Sequence, residues 1–162
     1  MISMRWTIST SCWVLVALIA GCAPKPKYEG KSVAELEKMV RSSDPVVQAQ
    51  GAFGLSQHGA EASPAVPALR EALKSPEALV RQNAALALGS VGPEAKSAVP
   101  DLTNSLKDSE WTVRRQSALA LGQIGPGAAD ALPALQQLQS DPSDLVRKAA
   151  TEAIGKIKNH PK

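Results

Sequence analysis

Aromatic residues, cysteine and histidine are all scarce in this chain. Phe, Trp and Tyr together make up 3% of its 162 residues, and it has two Cys and two His. The core of a β-sheet protein would require more aromatic and β-branched side chains than these. The composition therefore favours helices that pack closely through Ala, Leu, Val and Ile, and we predict an all-α fold.

The chain also lacks a large excess of charge of one sign. Its formal net charge is +3 at pH 7, and one of its cations, Arg5, lies in an N-terminal segment that we expect to be removed. Proteins that bind nucleic acid usually present a concentrated basic stripe. We therefore predict that the chain has no nucleic-acid partner.

The residues that usually perform chemistry do not occur in useful combinations. His58 and His160 have no Cys, His or acidic neighbour at the spacing of metal ligands. The Gly residues fall at the ends of helical patterns, where capping explains them, and none forms a phosphate-binding loop. We therefore predict that the chain is not an enzyme and that it binds no metal, cofactor or small-molecule substrate.

A short apolar run near the N-terminus predicts export. Residues 1–21 contain Arg5 followed by the apolar run 12–20. This run is shorter than the roughly 20 apolar residues that a membrane-spanning helix needs. We therefore predict a signal peptide over residues 1–21 that is removed. The alternative is a permanent N-terminal anchor helix.

The end of this segment, Ile19-Ala20-Gly21-Cys22, resembles the lipobox of bacterial lipoproteins. The resemblance departs from the commonest pattern in having Ile in place of Leu. It implies cleavage before Cys22 and attachment of lipid to Cys22, at its sulfur and its new amino group. The chain would then be lipid-anchored in the bacterial cell envelope. Ala23 implies the outer membrane, facing the periplasm, if the host is Gram-negative.

The remaining chain divides into three segments. Residues 22–31 hold the lipidated Cys and a stretch containing Pro and Lys, which we expect to form an extended tether. Residues 32–158 contain an internal repeat, and residues 159–162 form a tail. Because Cys22 would be the one remaining Cys, no internal disulfide can form, and the core alone must stabilise the fold.

The internal repeat has a period of 33 residues. Apolar residues recur at this spacing in four copies, and Gly and Pro recur in three. Such regularity predicts an array in which each unit packs against its neighbours. The columns include Val47, Val80, Val113 and Val146; Leu55, Leu88, Leu121 and Ile154; Leu36, Leu69, Leu102 and Leu135; Gly59, Gly92 and Gly125; and Pro67, Pro100 and Pro133.

Each copy begins with a short helical pattern. Val66, Leu69 and Leu73 are spaced so that they share one face of a helix. In the first copy, Ser32 and Glu35 form a capping-box pattern that should start this helix.

A longer and Ala-rich second helix follows in each copy. We expect it to begin after a capping side chain followed by Pro, as at Asp44-Pro45 and Asp141-Pro142. Gly92 and Gly125 should end it in a left-handed cap. The predicted unit is therefore helix, short turn, helix.

Segments 80–92 (VRQNAALALGSVG), 113–125 (VRRQSALALGQIG) and 98–102 (AVPDL) resemble HEAT-type repeats of the short bacterial kind. The resemblance covers residues 32–158 and is weaker at both ends. It implies a right-handed α-solenoid of about four two-helix repeats, which usually acts as a scaffold or adaptor. Some members of the family are linked to bilin-attaching enzymes and some bind DNA, but neither activity suits an exported lipoprotein.

In HEAT-type repeats, an Asp and the Arg six residues later commonly form a ladder between neighbouring units. The resemblance thus assigns structural roles to Asp108 with Arg114 and to Asp141 with Arg147. Arg81 has Ser at the matching position, so its place in the ladder is in doubt. The alternative is that the Arg column binds a ligand, but Arg favours such bidentate partners.

The second helices of a solenoid usually line a concave face on which a partner binds. Helical phase predicts that the position after the Arg column is exposed, and the next position lies beside it. An exposed Trp next to Arg is typical of binding hot spots, although Trp111 could merely cover the turn beneath it. The candidate partner-binding residues are Trp111, Arg115, Lys148, Gln82, Asn83 and Gln116.

Two functions remain open. The first is an adaptor that holds a protein partner in the cell envelope, and it predicts saturable binding that depends on Trp111 and Arg115. The second is a structural envelope module that binds cell-wall polymer or acidic lipid, and it predicts salt-sensitive binding spread over many Lys side chains.

Overall fold

The computed structural model describes residues 28–159. Within this range all regular structure is helical, and eight α-helices form four pairs. The first helices of the pairs are α1 (Val33–Val40), α3 (Val66–Ala72), α5 (Val99–Ser105) and α7 (Leu132–Gln137). The second helices are α2 (Pro45–Ser56), α4 (Ala78–Val91), α6 (Trp111–Ile124) and α8 (Asp144–Lys158).

The second helices pack side by side in chain order, α2 on α4, α4 on α6 and α6 on α8. Each first helix packs against the second helix of its own pair. The chain is thus an α-solenoid of four two-helix units, as the sequence predicted. The predicted signal peptide, Cys22 and His160 lie outside the described residues.

The apolar columns form the core. Leu36, Leu69, Leu102 and Leu135 are fully buried, one in each first helix. The second helices contribute the column of Leu55, Leu88 and Leu121, which is also fully buried, whereas Ile154 in the last unit is partly buried. Within the described residues the last unit packs against a neighbour on one side only, so its other side is more exposed.

Consecutive units are joined by short helices that were not predicted from the sequence. Seven-residue 3₁₀ helices at Gly59–Ala65, Gly92–Ala98 and Gly125–Ala131 connect each second helix to the next first helix. Gly92 has φ 76° and ψ −140°, and Gly125 has φ 72° and ψ −138°. The prediction that Gly ends these helices is confirmed. The ψ values of Gly92 and Gly125, however, lie outside the left-handed helical region, in a region of backbone conformation that is essentially restricted to Gly.

The predicted start of the second helices holds in the first unit alone. There Asp44 accepts a hydrogen bond from the Val46 N–H, and Pro45 is the first helical residue. In the last unit the helix starts later, at Asp144, and Pro142 precedes its N-cap. Asp141 instead accepts from the Ser143 N–H at 2.9 Å, which closes a turn before the helix begins.

Helix packing is close where the sequence has small residues. A Cβ atom added at Gly122 in α6 would lie 2.9 Å from Ala153 Cα in α8. No real side chain tolerates such a distance, so Gly122 is required by the approach of the two helices. Gly155, in the same column of the last unit, has nothing within 4 Å of such an atom because no fifth unit follows.

The first unit begins earlier than predicted. Tyr28, which we assigned to the extended tether, packs against Phe53 with ring centroids 5.2 Å apart and an edge-to-face angle of 71°. Residues 28–30 form a turn, and the Lys31 carbonyl lies 3.1 Å from His58 Nε2. The last tether residues therefore belong to the folded unit, since Tyr28 covers the otherwise open side of α2.

Candidate interaction surface

A ladder of ion pairs crosses the boundaries between units. Arg81 in α4 donates from Nε and Nη2 to the two carboxylate oxygens of Asp108, at 2.7 and 2.8 Å. Its Nη1 donates to the Ser75 and Pro76 carbonyls, both at 2.9 Å. Arg81 thus ties the turn before its own helix to the turn of the next unit. The doubt about its place in the ladder was unfounded.

Arg114 repeats this arrangement one unit later. It donates from Nε and Nη2 to Asp141 at 2.7 and 3.0 Å, and from Nη1 to the Asp108 carbonyl at 2.8 Å. The pairing that we expected, Asp108 with Arg114, is therefore wrong for the carboxylate. The Arg binds the backbone six residues before it and the carboxylate 27 residues after it. The guanidinium of Arg114 reaches both because its five N–H donors form a planar and rigid fork.

Arg147 stands at the end of the ladder. Its Nη1 donates to the Asp141 carbonyl at 2.7 Å, and Nη2 pairs with the exposed Asp144 of its own helix. The carboxylate of Asp141 is bound by Arg114, so the expected pair of Arg147 with the Asp141 side chain is also corrected.

Burial and hydrogen bonding shift the pKa values of the ladder. The hydrogen bond from Arg114 lowers the pKa of Asp141, against the opposing effect of burial. Burial alone would raise the pKa of Asp108, but hydrogen bonds from Arg81 and from the Glu110 N–H outweigh it and leave the pKa lowered. The carboxylates in turn raise the pKa of both Arg side chains. The side chains of the ladder are therefore fully ionised at neutral pH, and their charges pair with one another between units.

The first boundary is built differently. Gln48 occupies the Arg column and Ser75 the Asp column, so this boundary has no ion pair of the ladder type. Instead Asn83 Nδ2 in α4 donates to the Ala49 carbonyl in α2 at 3.0 Å. Asn83 is buried. Its prediction as a partner-binding residue is wrong, because it joins the first two units.

The other candidate residues lie on the side of the second helices that faces away from the first helices, but Gln82 and Arg115 are less exposed than helical phase predicted. Gln82, Arg115 and Gln116 are half-buried, and Lys148 is exposed. Arg115 and Lys148 occupy one column in neighbouring units and form no ion pair within residues 28–159. We call this side the second-helix face.

Large hydrophobic side chains are exposed along one edge of the same face. Trp111 has 42% of its surface exposed, and Leu79 has 59%. Each of the four such residues in the described chain is the first or second residue of a second helix. They are Val46, Leu79, Trp111 and Leu145.

A groove of about 350 Å³ runs between α2 and α4 at the start of this face. Its walls are mainly apolar and include Tyr28, Val46, Phe53 and Leu79. Gln50 also lines it, and the side-chain Oε1 of Gln50 is buried without a hydrogen-bond partner within the described chain. The groove therefore combines apolar walls with one unused acceptor.

This groove and its edge were not predicted from the sequence, although the sequence contains a pattern that indicates the edge. Val46, Leu79 and Leu145 form a column one position before the core column of Val47 and Val80. Adjacent helical residues point about 100° apart, so two neighbouring apolar columns cannot both face the core. One of them had to be exposed.

No group of three or more His, Cys, Asp or Glu side chains within residues 28–159 is arranged to hold a metal ion. In the same range, no helix has the length and apolar character needed to cross a bilayer.

The model of the family described as HEAT repeats matches residues 33–103 and 93–155. The chain belongs to the HEAT-repeat family. The two matched ranges together take in all eight helices except the last turn of α8. The ladder described above is therefore the boundary structure of a HEAT-repeat array.

Solved structures with similar folds include both designed and natural chains. An engineered protein is 29% identical with a TM-score of 0.67, over 78% of this chain and 62% of its own. Human deoxyhypusine hydroxylase, solved in complex with glycerol, is 31% identical with a TM-score of 0.62, over 82% of this chain and 45% of its own. The chain thus spans less than two thirds of either protein.

The CpcE–CpcF complex of phycocyanin lyase from Nostoc sp. PCC7120 is 23% identical with a TM-score of 0.60, over 88% of this chain and 69% of that chain. At this identity the likeness shows the fold alone. No curated protein sequence gives a significant match to the chain.

Proposed function

We propose that this HEAT-repeat protein is an adaptor that binds a protein partner on its second-helix face. The observation on which the proposal rests is that all four exposed large hydrophobic residues of the described chain lie along one edge of that face. Exposed apolar side chains that are collected on one surface favour a binding site over scattered surface residues. Trp and Arg, which dominate binding hot spots, are both present in Trp111 and Arg115.

The proposal includes a membrane anchor. It is supported by the apolar run at 12–20 and the lipobox-like segment that ends at Cys22. A lipid on Cys22 would hold the folded units close to a bilayer in the cell envelope, at the outer membrane of a Gram-negative host. The solenoid would then present its face to proteins at that membrane.

We propose no catalytic role for the chain. The titratable groups with shifted pKa values, apart from the capping residue Glu35, all belong to the ladder, where Arg81 and Arg114 pair with Asp108 and Asp141. Perturbed groups at an active site would instead surround a cleft. The groove contains apolar side chains, Gln50 and Asn83, with Glu77 at its margin.

The test is affinity capture from detergent-solubilised membranes of the source organism. The full chain is compared with the variant Trp111→Ala/Arg115→Glu/Lys148→Glu. The control variant is Lys96→Glu/Lys107→Glu, which reverses two exposed charges outside the second-helix face. A discrete protein recovered with the wild type and the control, and lost with the face variant, supports the adaptor.

Recovery of lipid or wall polymer alone would contradict the adaptor. If that recovery also fell steadily with salt and was lowered to a similar degree by both variants, it would favour the structural envelope module, since exposed charges act additively and are screened. The cleavage and lipidation of Cys22 are tested separately, by mass spectrometry of the mature N-terminus and by the Cys22→Ser variant.

A further inference from the structure

The second-helix face is divided into two chemically distinct halves. The half over α2 and α4 contains the groove, whose walls are mainly apolar. The half over α6 and α8 contains Arg115 and Lys148, two cations without an ion-pair partner in the described part of the chain. A partner that fits the whole face must therefore present an apolar group at one end and negative charge at the other.

The size of the groove limits what fills it. At about 350 Å³ it lies at the small end of the range for ligand pockets, roughly 300–1,000 Å³. A cavity of this size accepts one or two side chains and cannot accommodate a packed helix. Leu79 and Phe53 on opposite walls would contact an aromatic or branched aliphatic side chain.

The side chain of Gln50 favours a peptide over a lipid as the occupant of the groove. Its Oε1 is buried without a hydrogen-bond partner among residues 28–159, whereas the amide of the neighbouring Asn83 is already used to bind the Ala49 carbonyl. Leaving a buried acceptor unsatisfied is unfavourable, so a ligand that donates to it gains affinity. A peptide backbone N–H beside the anchoring side chain can satisfy it once the Gln50 side chain turns toward the groove, but an acyl chain cannot.

The cationic half is bordered by acidic groups. Glu77 lines the groove margin, and Glu110 precedes α6 beside Trp111. Glu152 is already paired with Lys156 at 2.7 Å. Negative charge on a partner is therefore favoured at Arg115 and Lys148 in the middle of the face and disfavoured along the edge formed by Glu77 and Glu110.

The distance between the groove and the cations follows from the packing of the helices. Neighbouring helices lie about 8–10 Å apart, so Arg115 on α6 lies roughly 10–15 Å from the groove between α2 and α4. An extended chain covers about 3.3 Å per residue. The apolar and acidic residues of an extended partner would thus be about three to five positions apart.

We propose that the second-helix face recognises a peptide segment with an apolar anchor side chain that enters the α2–α4 groove, followed by carboxylates that pair with Arg115 and Lys148. The inference rests on the proposed adaptor function and adds to it the chemistry of the partner. Trp111 precedes Arg115 by four residues in α6, and Leu145 precedes Lys148 by three residues in α8, so each apolar side chain lies one helical turn from a cation.

The experiment is selection from a random 12-residue peptide library displayed on phage, with the folded full chain immobilised through its C-terminus. Selected peptides are then synthesised and titrated against the wild type, Leu79→Ser, Arg115→Glu/Lys148→Glu and the control Lys96→Glu/Lys107→Glu. Circular dichroism checks that each variant is folded. Vesicles of phosphatidylglycerol are titrated in parallel as a lipid probe.

The expected result is enrichment of peptides in which an aromatic or branched aliphatic residue lies about three to five positions from an acidic residue, with any second acidic residue about two to three positions further on. Leu79→Ser and the double charge reversal should each weaken binding about tenfold or more. The control should bind like the wild type. Added salt should weaken wild-type binding and have little effect on the double variant.

Three results would overturn the inference. They are enrichment of basic or purely apolar peptides, no enrichment above an unrelated helical protein, and binding of the vesicles alone that depends on Leu79. If one of these occurs while membrane capture still yields a protein lost with the face variant, the inference about partner chemistry fails and the adaptor function stands. If capture fails as well, both fail.

Discussion

Arg114 and Asp141 join the third and fourth units through two parallel hydrogen bonds of 2.7 and 3.0 Å, although they are separated by 27 residues in the chain. The same Arg holds the Asp108 carbonyl of its own turn. One side chain thus fixes both the turn within a unit and the position of the next unit. The second-helix face depends on this arrangement of the units, because the ladder sets how the second helices align.

Removing one member of this pair should be costly. In Arg114→Met, Asp141 would keep its charge in a largely buried site, where only 6% of its side chain is exposed. We expect the free energy of unfolding in urea to fall by about 2–3 kcal/mol. Arg147→Met is the control, since Arg147 pairs with an exposed Asp144, and it should cost less than about 1 kcal/mol. Equal losses in the two variants would contradict the account of the ladder.

The ladder should also make stability depend on pH in the acid range. The folded state lowers the pKa of Asp108 and Asp141. A lowered pKa gives stability that is complete above the unfolded value of about 3.9 and is lost as pH falls through the folded pKa. The free energy of unfolding of the wild type should therefore fall below about pH 4.

Asp141→Asn should be less stable than the wild type at pH 7 and should approach it as the pH falls through this range. Urea denaturation at a series of pH values between 7 and 2 measures the difference. A constant gap between the two proteins over that series would show that Asp141 does not contribute through its charge.

Close helix packing predicts opposite effects for two glycines of one column. Gly122→Ala places a methyl group against Ala153 Cα and should destabilise the fold by about 1–3 kcal/mol. Gly155→Ala meets no neighbour and should stabilise α8 by up to about 1 kcal/mol, because Ala favours the helix. Thermal melting followed by circular dichroism distinguishes them. A lower Tm for Gly155→Ala than for Gly122→Ala would contradict the packing.

Ser117 is a buried polar residue whose hydroxyl is not used in the hydrogen bonding of the described chain. Its Oγ is fully buried and has no hydrogen-bond partner within residues 28–159, whereas the mostly buried Ser105 donates to the Asp101 carbonyl at 3.1 Å. Ser117→Ala should leave stability unchanged or raise it. Ser105→Ala should be less favourable than Ser117→Ala by about 1 kcal/mol, the net value of one hydrogen bond. The reverse order in urea denaturation would show that Ser117 has a partner.

The fold was predictable from the sequence because the same pattern of apolar and small residues recurs in each unit. Four copies at a spacing of 33 residues place Leu36 and its equivalents in the core, and small residues such as Gly122 mark the contacts between helices. The solenoid of two-helix units follows from these columns.

The details of the boundaries were less predictable because they depend on residues far apart in sequence. Asp108 is six residues before one Arg and 27 residues after another, and spacing alone does not show which one its carboxylate binds. Asn83 was predicted to bind a partner because it lies beside the exposed column, but the backbone of α2 is close enough to accept a hydrogen bond from its amide. Tyr28 lies in a segment whose Pro and Lys content indicates a tether, although its ring completes the first unit.

The groove was predictable from the sequence only in part. The column of Val46 and Leu79 was visible in the sequence, and its exposure followed from the core column beside it. The volume of the groove and the unused acceptor of Gln50 required the positions of both helices.

The most direct test of the central claim is site-specific photocrosslinking in native membranes. A photoreactive amino acid replaces Leu79 on the second-helix face in one version of the full chain, and Lys107 outside that face in another. The account predicts that light joins the chain to a discrete protein from position 79 and not from position 107. Crosslinks to the same products from both positions, or to lipid alone, would contradict the claim that this face binds a protein partner.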